Sequence, residues 1–125
     1  MDDDSGVRVS DEDIGLEELS RRLDELVVLD VRSEAEFDGS GGYPCDPRQG
    51  HIPGARNLDL ARLFAVGSVE EVRELVGEAA GAEVVTYCHS GSRTRTAAQI
   101  LDAAGYRPRN YAGSWHEWSR RGFEA

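Results

Sequence analysis

Glu83-Val84-Val85-Thr86-Tyr87-Cys88-His89-Ser90-Gly91-Ser92-Arg93-Thr94 reads as a strand that turns directly into a helix. Val84 to Tyr87 are β-branched or aromatic, which suits a pleated and covered strand. Ser90, Gly91 and Ser92 then break the pattern, and a helix is expected from about Ser92 to Ala104, stopped by Gly105. Upstream, Leu16, Leu19, Leu23 and Leu26 recur at three- and four-residue steps from Ile14, as in an amphipathic helix. Val27-Val28-Leu29-Asp30-Val31 follows as a strand apolar enough to be covered on both faces. A helical turn at Ser33 to Phe37, a short strand at Ala55-Arg56-Asn57-Leu58, and a helix capped by Ser68 with Val69, Val72, Leu75, Val76 and Ala79 on one face, ended by Gly81, continue the alternation. Downstream come a strand at Arg109-Asn110-Tyr111 and a last helix from Ser114 to Arg121. With a further short strand at Val7-Arg8-Val9, the expected fold is α/β: a doubly wound, five-stranded, mostly parallel sheet flanked by helices.

The 125 residues suffice for one core, so the expected organisation is an acidic tail over 1–6 and a single domain over 7–125. Between Asp38 and Gly54, glycine and proline forbid regular structure, and a long surface loop is expected. No stretch of even ten apolar residues occurs, so neither a membrane span nor a secretory leader is expected, and the anticipated location is the cytoplasm. The formal net charge is −10, which repels phosphate backbones and anionic lipid and argues against nucleic acid or membrane as partner. All fourteen cations are Arg, which excludes Schiff-base chemistry and a phosphate-binding lysine. Cys45, Cys88, His51, His89 and His116 show no zinc-ligand spacing, so neither a metal nor a cofactor is expected.

Cys88 stands where ligands bind in open α/β sheets, at the carboxyl end of a strand. A turn of small residues entering a helix can aim successive backbone N–H groups into one concavity, and the helix dipole adds positive potential there. That environment, with Arg93 nearby, favours the thiolate and makes Cys88 a candidate nucleophile rather than an inert core thiol.

Four motifs now stand in order: Leu29-Asp30-Val31-Arg32 with Glu36-Phe37, Gly50-His51-Ile52-Pro53-Gly54-Ala55, Tyr87-Cys88-His89-Ser90-Gly91-Ser92-Arg93, and Gly113-Ser114-Trp115-His116-Glu117-Trp118. Together they resemble the successive motifs of the rhodanese sulfurtransferase family over about Leu29 to Trp118. The resemblance implies a thiosulfate-type sulfurtransferase in which Cys88 takes a sulfane sulfur from a small anion such as thiosulfate, becomes a persulfide, and passes the sulfur to a thiol or cyanide. It implies that His89, Ser90, Gly91, Ser92 and Arg93 line the cradle around that persulfide, with Arg93 placed to attract an anionic donor. Asp30 and Arg32 are expected to brace the loops by hydrogen bonds and an ion pair. Trp115 and Trp118 are expected against the sheet, with Trp115 also a candidate roof for the pocket.

The loop from Cys88 to Arg93 counts six residues, one fewer than cysteine phosphatases use to circle a tetrahedral phosphate, which favours a sulfur atom. The resemblance leaves the donor open, because the loop carries neither the Arg-Lys pair of the thiosulfate type nor the Gly-Ser-Gly-Val-Thr of the mercaptopyruvate type. A second functional class also fits: a persulfide carrier or sensor that loads sulfur and hands it on through protein donors or acceptors. Cys45 is expected to be an exposed loop residue, the alternative being a resolving thiol. His51 is expected to hold its turn by a hydrogen bond, and His89 to point away from the cradle.

Overall fold

The computed structural model describes residues 13–89 and 92–121, apart from the side chain of Ser92. The acidic tail and the strand expected at Val7-Arg8-Val9 lie outside the described residues. Within them the sheet has four strands rather than five: β1 (Val27–Asp30), β2 (Arg56–Asn57), β3 (Glu83–Tyr87) and β4 (Arg107–Asn110). All pairings are parallel, in the order β2-β1-β3-β4. Among the described residues six helices precede, connect or follow them: α1 (Leu16–Arg21), α2 (Glu34–Asp38), α3 (Leu60–Ala65), α4 (Val69–Val76), α5 (Ser92–Ala103) and α6 (Ser114–Arg121).

Strand alternation sends successive side chains to opposite faces, and the two faces hold two cores. Val84 and Cys88 join Leu29, Val31, Leu58, Leu63, Val72, Val76, Ala97 and Leu101 on the face covered by α3, α4 and α5. Val85 and Tyr87 join Val28, Leu16, Leu19, Ile52, Tyr111, Trp115 and Trp118 on the face covered by α1 and α6. Helices on both faces of a parallel sheet make the doubly wound architecture.

Several boundaries differ from expectation. The first helix ends at Arg21, where the Arg22 amide is shared between the carbonyls of Glu18 and Leu19, although Leu23 and Leu26 still pack on the core. Apolar spacing persists through the turn, so periodicity does not register the helix end. Helix α4 stops at Gly77, whose φ of 77° supplies the left-handed cap, rather than continuing to Ala79 and Gly81. Helix α3 was not anticipated; Asp59 caps it by accepting from the Ala61 amide, and its six residues are too few for a clear period. Strand β4 includes Pro108, tolerable because this strand lies at the edge of the four-strand order.

The segment between α2 and β2 contains no helix or strand, yet it is anchored rather than loose. Ile52 is fully buried and its amide donates to the Tyr87 hydroxyl at 3.0 Å. Arg48 donates to the carbonyls of Trp118 and Ser119, and Trp115 Nε1 donates back to the Arg48 carbonyl.

Candidate active site

The strand order reverses direction between β1 and β3: the chain passes from β1 outward to β2, then returns to the other side of β1 to lay down β3. Such a switch point opens a crevice beyond the carboxyl ends of the two strands, and Asp30 and Tyr87 are paired there. Cys88 follows immediately. The site expected from the strand-to-helix turn therefore coincides with the place where this topology binds ligands.

On the β1 side the turn is filled by the protein's own charges. Arg32 forms a bidentate pair with Asp30, with Nη2 to Oδ2 at 2.7 Å and Nε to Oδ1 at 3.0 Å, while the Arg32 amide donates to Oδ1. Both side chains are buried, and Arg32 also donates to the Gly50 carbonyl at 2.6 Å. Its guanidinium lies 5.1 Å from the Trp115 ring and 5.6 Å from the Tyr87 ring. Burial alone would lower the Arg32 pKa, but the Asp30 carboxylate outweighs it and holds the guanidinium charged. These residues brace the segment between α2 and β2, the insertion loop, against β1 from the Trp115 face of the sheet. Trp115 is wholly buried in that core, on the face opposite the Cys88 side chain.

On the β3 side, helix α6 holds the backbone of Cys88. The Cys88 amide donates to Ser114 Oγ at 3.1 Å, and that hydroxyl donates to the Tyr111 carbonyl. The Trp115 amide donates to the Cys88 carbonyl and the His116 amide to the His89 carbonyl, each at 2.9 Å. Ser114 adopts a φ of 54°, unusual for a residue with a side chain, and these hydrogen bonds offset the local strain. The Gly113-Ser114-Trp115-His116 motif thus positions the cysteine through the main chain.

The Cys88 side chain is itself 0% exposed, packed where strand alternation sends it, against the core under α3 and α5. This differs from a thiol standing open at a mouth. Solvent does not reach Sγ in this conformation. Both cysteines are thiols, and Cys45 lies exposed on the insertion loop as expected.

Of the expected cradle, Ser90 and Gly91 lie outside the described residues, and α5 begins at Ser92. Arg93 is partly open to solvent and already paired. Its guanidinium forks onto Glu36, with Nη1 to Oε1 at 3.0 Å and Nη2 to Oε2 at 3.2 Å. Glu36 also closes a capping box with Ser33 at the start of α2. Burial would raise the Glu36 pKa, yet Arg93 and the Ser33 amide and hydroxyl hold it at about 2. The Arg93 pKa is raised chiefly by Glu36, with a further electrostatic contribution from Cys88. Arg93 is therefore steered by a carboxylate from the neighbouring turn.

His89 is drawn toward the insertion loop. Its Nε2 lies 2.9 Å from Asp46 Oδ2, the Tyr43 ring stacks on it at 4.0 Å, and the His116 ring meets it edge-on at 5.8 Å. Asp46 is nearly inaccessible, and its other oxygen accepts from Arg120 at 2.9 Å. His51 holds its turn, with Nδ1 2.9 Å from the Phe37 carbonyl and its ring stacked on Phe37.

Sequence reasoning missed the roles of Ser114, Asp46, Tyr43 and Arg120, and missed Glu36 as the partner of Arg93. Ser33-x-x-Glu36 was readable as a capping box; nothing local announces the other pairings. Among the described residues no three His, Cys, Asp or Glu side chains gather to hold a metal, and no helix is long and apolar enough to cross a membrane.

A doubly wound α/β domain with a cysteine at its switch point, gripped by a Ser-Trp helix start, is a narrow class of protein. The family of rhodanese-like domains matches residues 15–121, and the chain belongs to it. It is 35% identical over 102 residues to a thiosulfate sulfurtransferase of Pseudomonas aeruginosa, covering 75% of this chain and 37% of that protein. It is 35% identical over 106 residues to the sulfur carrier protein TtuD of Thermus thermophilus, covering 73% of this chain and 37% of that one. The chain thus spans little more than a third of the length of these relatives. Among solved structures, a probable thiosulfate sulfurtransferase superposes with a TM-score of 0.81 at 40% identity, covering 91% of this chain and 47% of that one. The human single-domain sulfurtransferase TSTD1 gives 0.68 at 28% identity, covering 91% and 98%.

Proposed function

We propose that this protein is a sulfurtransferase of the thiosulfate type, working by double displacement through a Cys88 persulfide. The observation that carries the proposal is the placement of Cys88: at the carboxyl end of β3, beside the switch point, on the turn that leads into α5. In the first half-reaction the Cys88 thiolate attacks the outer sulfur of thiosulfate. The S–S bond of the donor breaks and sulfite leaves with the electron pair. In the second, a thiol or cyanide takes the outer sulfur and the thiolate of Cys88 returns. The backbone amides of His89, Ser90, Gly91, Ser92 and Arg93 serve in this proposal as the cradle, with Asp30, Arg32 and Trp115 as its support. The same reading takes the chain as one domain over 7–125 with an acidic tail over 1–6, acting in the cytoplasm, where thiols stay reduced.

A carrier that hands the sulfur to a protein partner is the second reading, favoured by the complete cover of Cys88, which would shield a persulfide between partners. The relative named sulfur carrier protein supports keeping it. Turnover separates the two: an enzyme cycles repeatedly with thiosulfate and cyanide, whereas a carrier gains the mass of one sulfur atom and then stalls. Absence of any mass gain with thiosulfate would remove both.

A further inference from the structure

The proposed first half-reaction brings an anion to the turn that carries Cys88, so the charges bordering that turn bear on which donors load best. We infer that Glu36 is a specificity-determining residue: by neutralising Arg93 it removes the advantage a doubly charged donor would hold over a singly charged one. The inference rests on the sulfurtransferase reading and widens the donor class within it from thiosulfate to monoanionic thiosulfonates.

Arg93 stands in the first turn of α5, after β3, and Glu36 in the first turn of α2, after β1. Their forked pair, at 3.0 and 3.2 Å, therefore links the two turns that border the switch-point crevice. Cys88 lies within electrostatic range of the same guanidinium. Glu36 does not depend on Arg93 for its place. Its Oε1 accepts from the Ser33 amide at 3.0 Å and the Ser33 hydroxyl at 3.1 Å, and its own amide donates to that hydroxyl. The carboxylate is thus a fixed anchor, and Arg93 is what it holds.

Arg32, on the β1 side, is likewise paired with Asp30, so these two guanidinium groups and two carboxylates cancel. Arg95 is exposed, but at about 100° of rotation per residue it leaves α5 on a different side from Arg93. An approaching anion therefore meets a locally balanced crevice set in a protein of net charge −10.

Thiosulfate and methanethiosulfonate offer the same chemistry at different charge, the first a dianion and the second a monoanion. With either, the Cys88 thiolate attacks the outer sulfur and the S–S bond of the donor breaks. Its electron pair leaves on sulfite or methanesulfinate, and Cys88 is left as the persulfide.

The test follows the rate of sulfur loading by intact mass for wild type and Glu36→Gln with each donor. Gln at this position keeps the reciprocal bonds with Ser33 and removes only the charge. At low salt, Glu36→Gln is expected to load about tenfold faster from thiosulfate and about threefold faster from methanethiosulfonate, because Coulomb energy scales with donor charge. Added sodium chloride should shrink that gap. An equal change with both donors, or none with thiosulfate, would mark Glu36 as structural and overturn the inference. Wild type supplies an arm that needs no variant to fold: its loading from thiosulfate should hold level or quicken as salt is added. Steep slowing would reveal an uncompensated cation at the site and overturn the inference. Failure of wild type to load from either donor would instead strike the sulfurtransferase reading, and the donor preference with it.

Discussion

Cys45 and Cys88 are the same residue in opposite surroundings. Cys45 lies exposed on the loop between α2 and β2, where its carbonyl accepts from Arg120 at 3.3 Å. Cys88 is wholly covered at the end of a central strand, with its amide, carbonyl and following residue all held by α6. Accessibility alone would choose Cys45 as the reactive thiol. The proposed function chooses Cys88, because only there do a switch point, a helix start and a guanidinium converge. The comparison teaches that, under the proposed function, backbone topology rather than exposure places the nucleophile.

The sharpest way to break the comparison is to exchange the cysteines' fates. Cys88→Ser should lose sulfur uptake entirely, whereas Cys45→Ser should load to the wild-type extent; loss in the second variant would give Cys45 a part in the transfer. Next in size is the scaffold beneath the Cys88 turn. Arg32→Met leaves Asp30 buried without its partner and should lower unfolding free energy by about 3–5 kcal/mol in denaturant titration. Adding Asp30→Asn should recover part of that loss, and a cost below about 1 kcal/mol would mean the pair is not a structural brace.

Ser114→Ala removes the hydroxyl that the Cys88 amide donates to, and should cost about 1–3 kcal/mol while slowing sulfur loading. Unchanged stability and loading would contradict main-chain positioning by α6. The smallest effect is expected at Glu36, which grips Arg93. Glu36→Gln should lower stability at neutral pH by about 1 kcal/mol, the pair being partly open to solvent. The sign follows from a folded pKa of about 2 against an ordinary value of 4.5. Stabilisation by this carboxylate is present above 4.5 and lost as pH falls toward about 2, so wild type and variant should converge across that window. A difference that persists at the acid end would show that the contribution is not ionic.

Much of this fold is legible in the sequence. β1, β3, α5 and α6 follow from runs of Val, from glycine stops and from helical spacing, and Cys88 stood out because a Gly-Ser turn joins a strand to a helix. The loop partners were not readable, because they join residues far apart in the chain: Arg93 with Glu36, His89 with Asp46, Asp46 with Arg120. No local period encodes such pairings; they arise only when the switch point brings two turns and an insertion together. The cover over Cys88 was equally hidden, since strand alternation predicts a side chain's face but not what packs above its end.

The most direct test of topology over exposure is to load the native protein with thiosulfate, then map the added sulfur by mass spectrometry of its peptides, with a parallel sample alkylated without loading. The account predicts that alkylation marks Cys45 well before Cys88 while the added sulfur is found on Cys88. Sulfur residing on Cys45, or on neither cysteine, would contradict it.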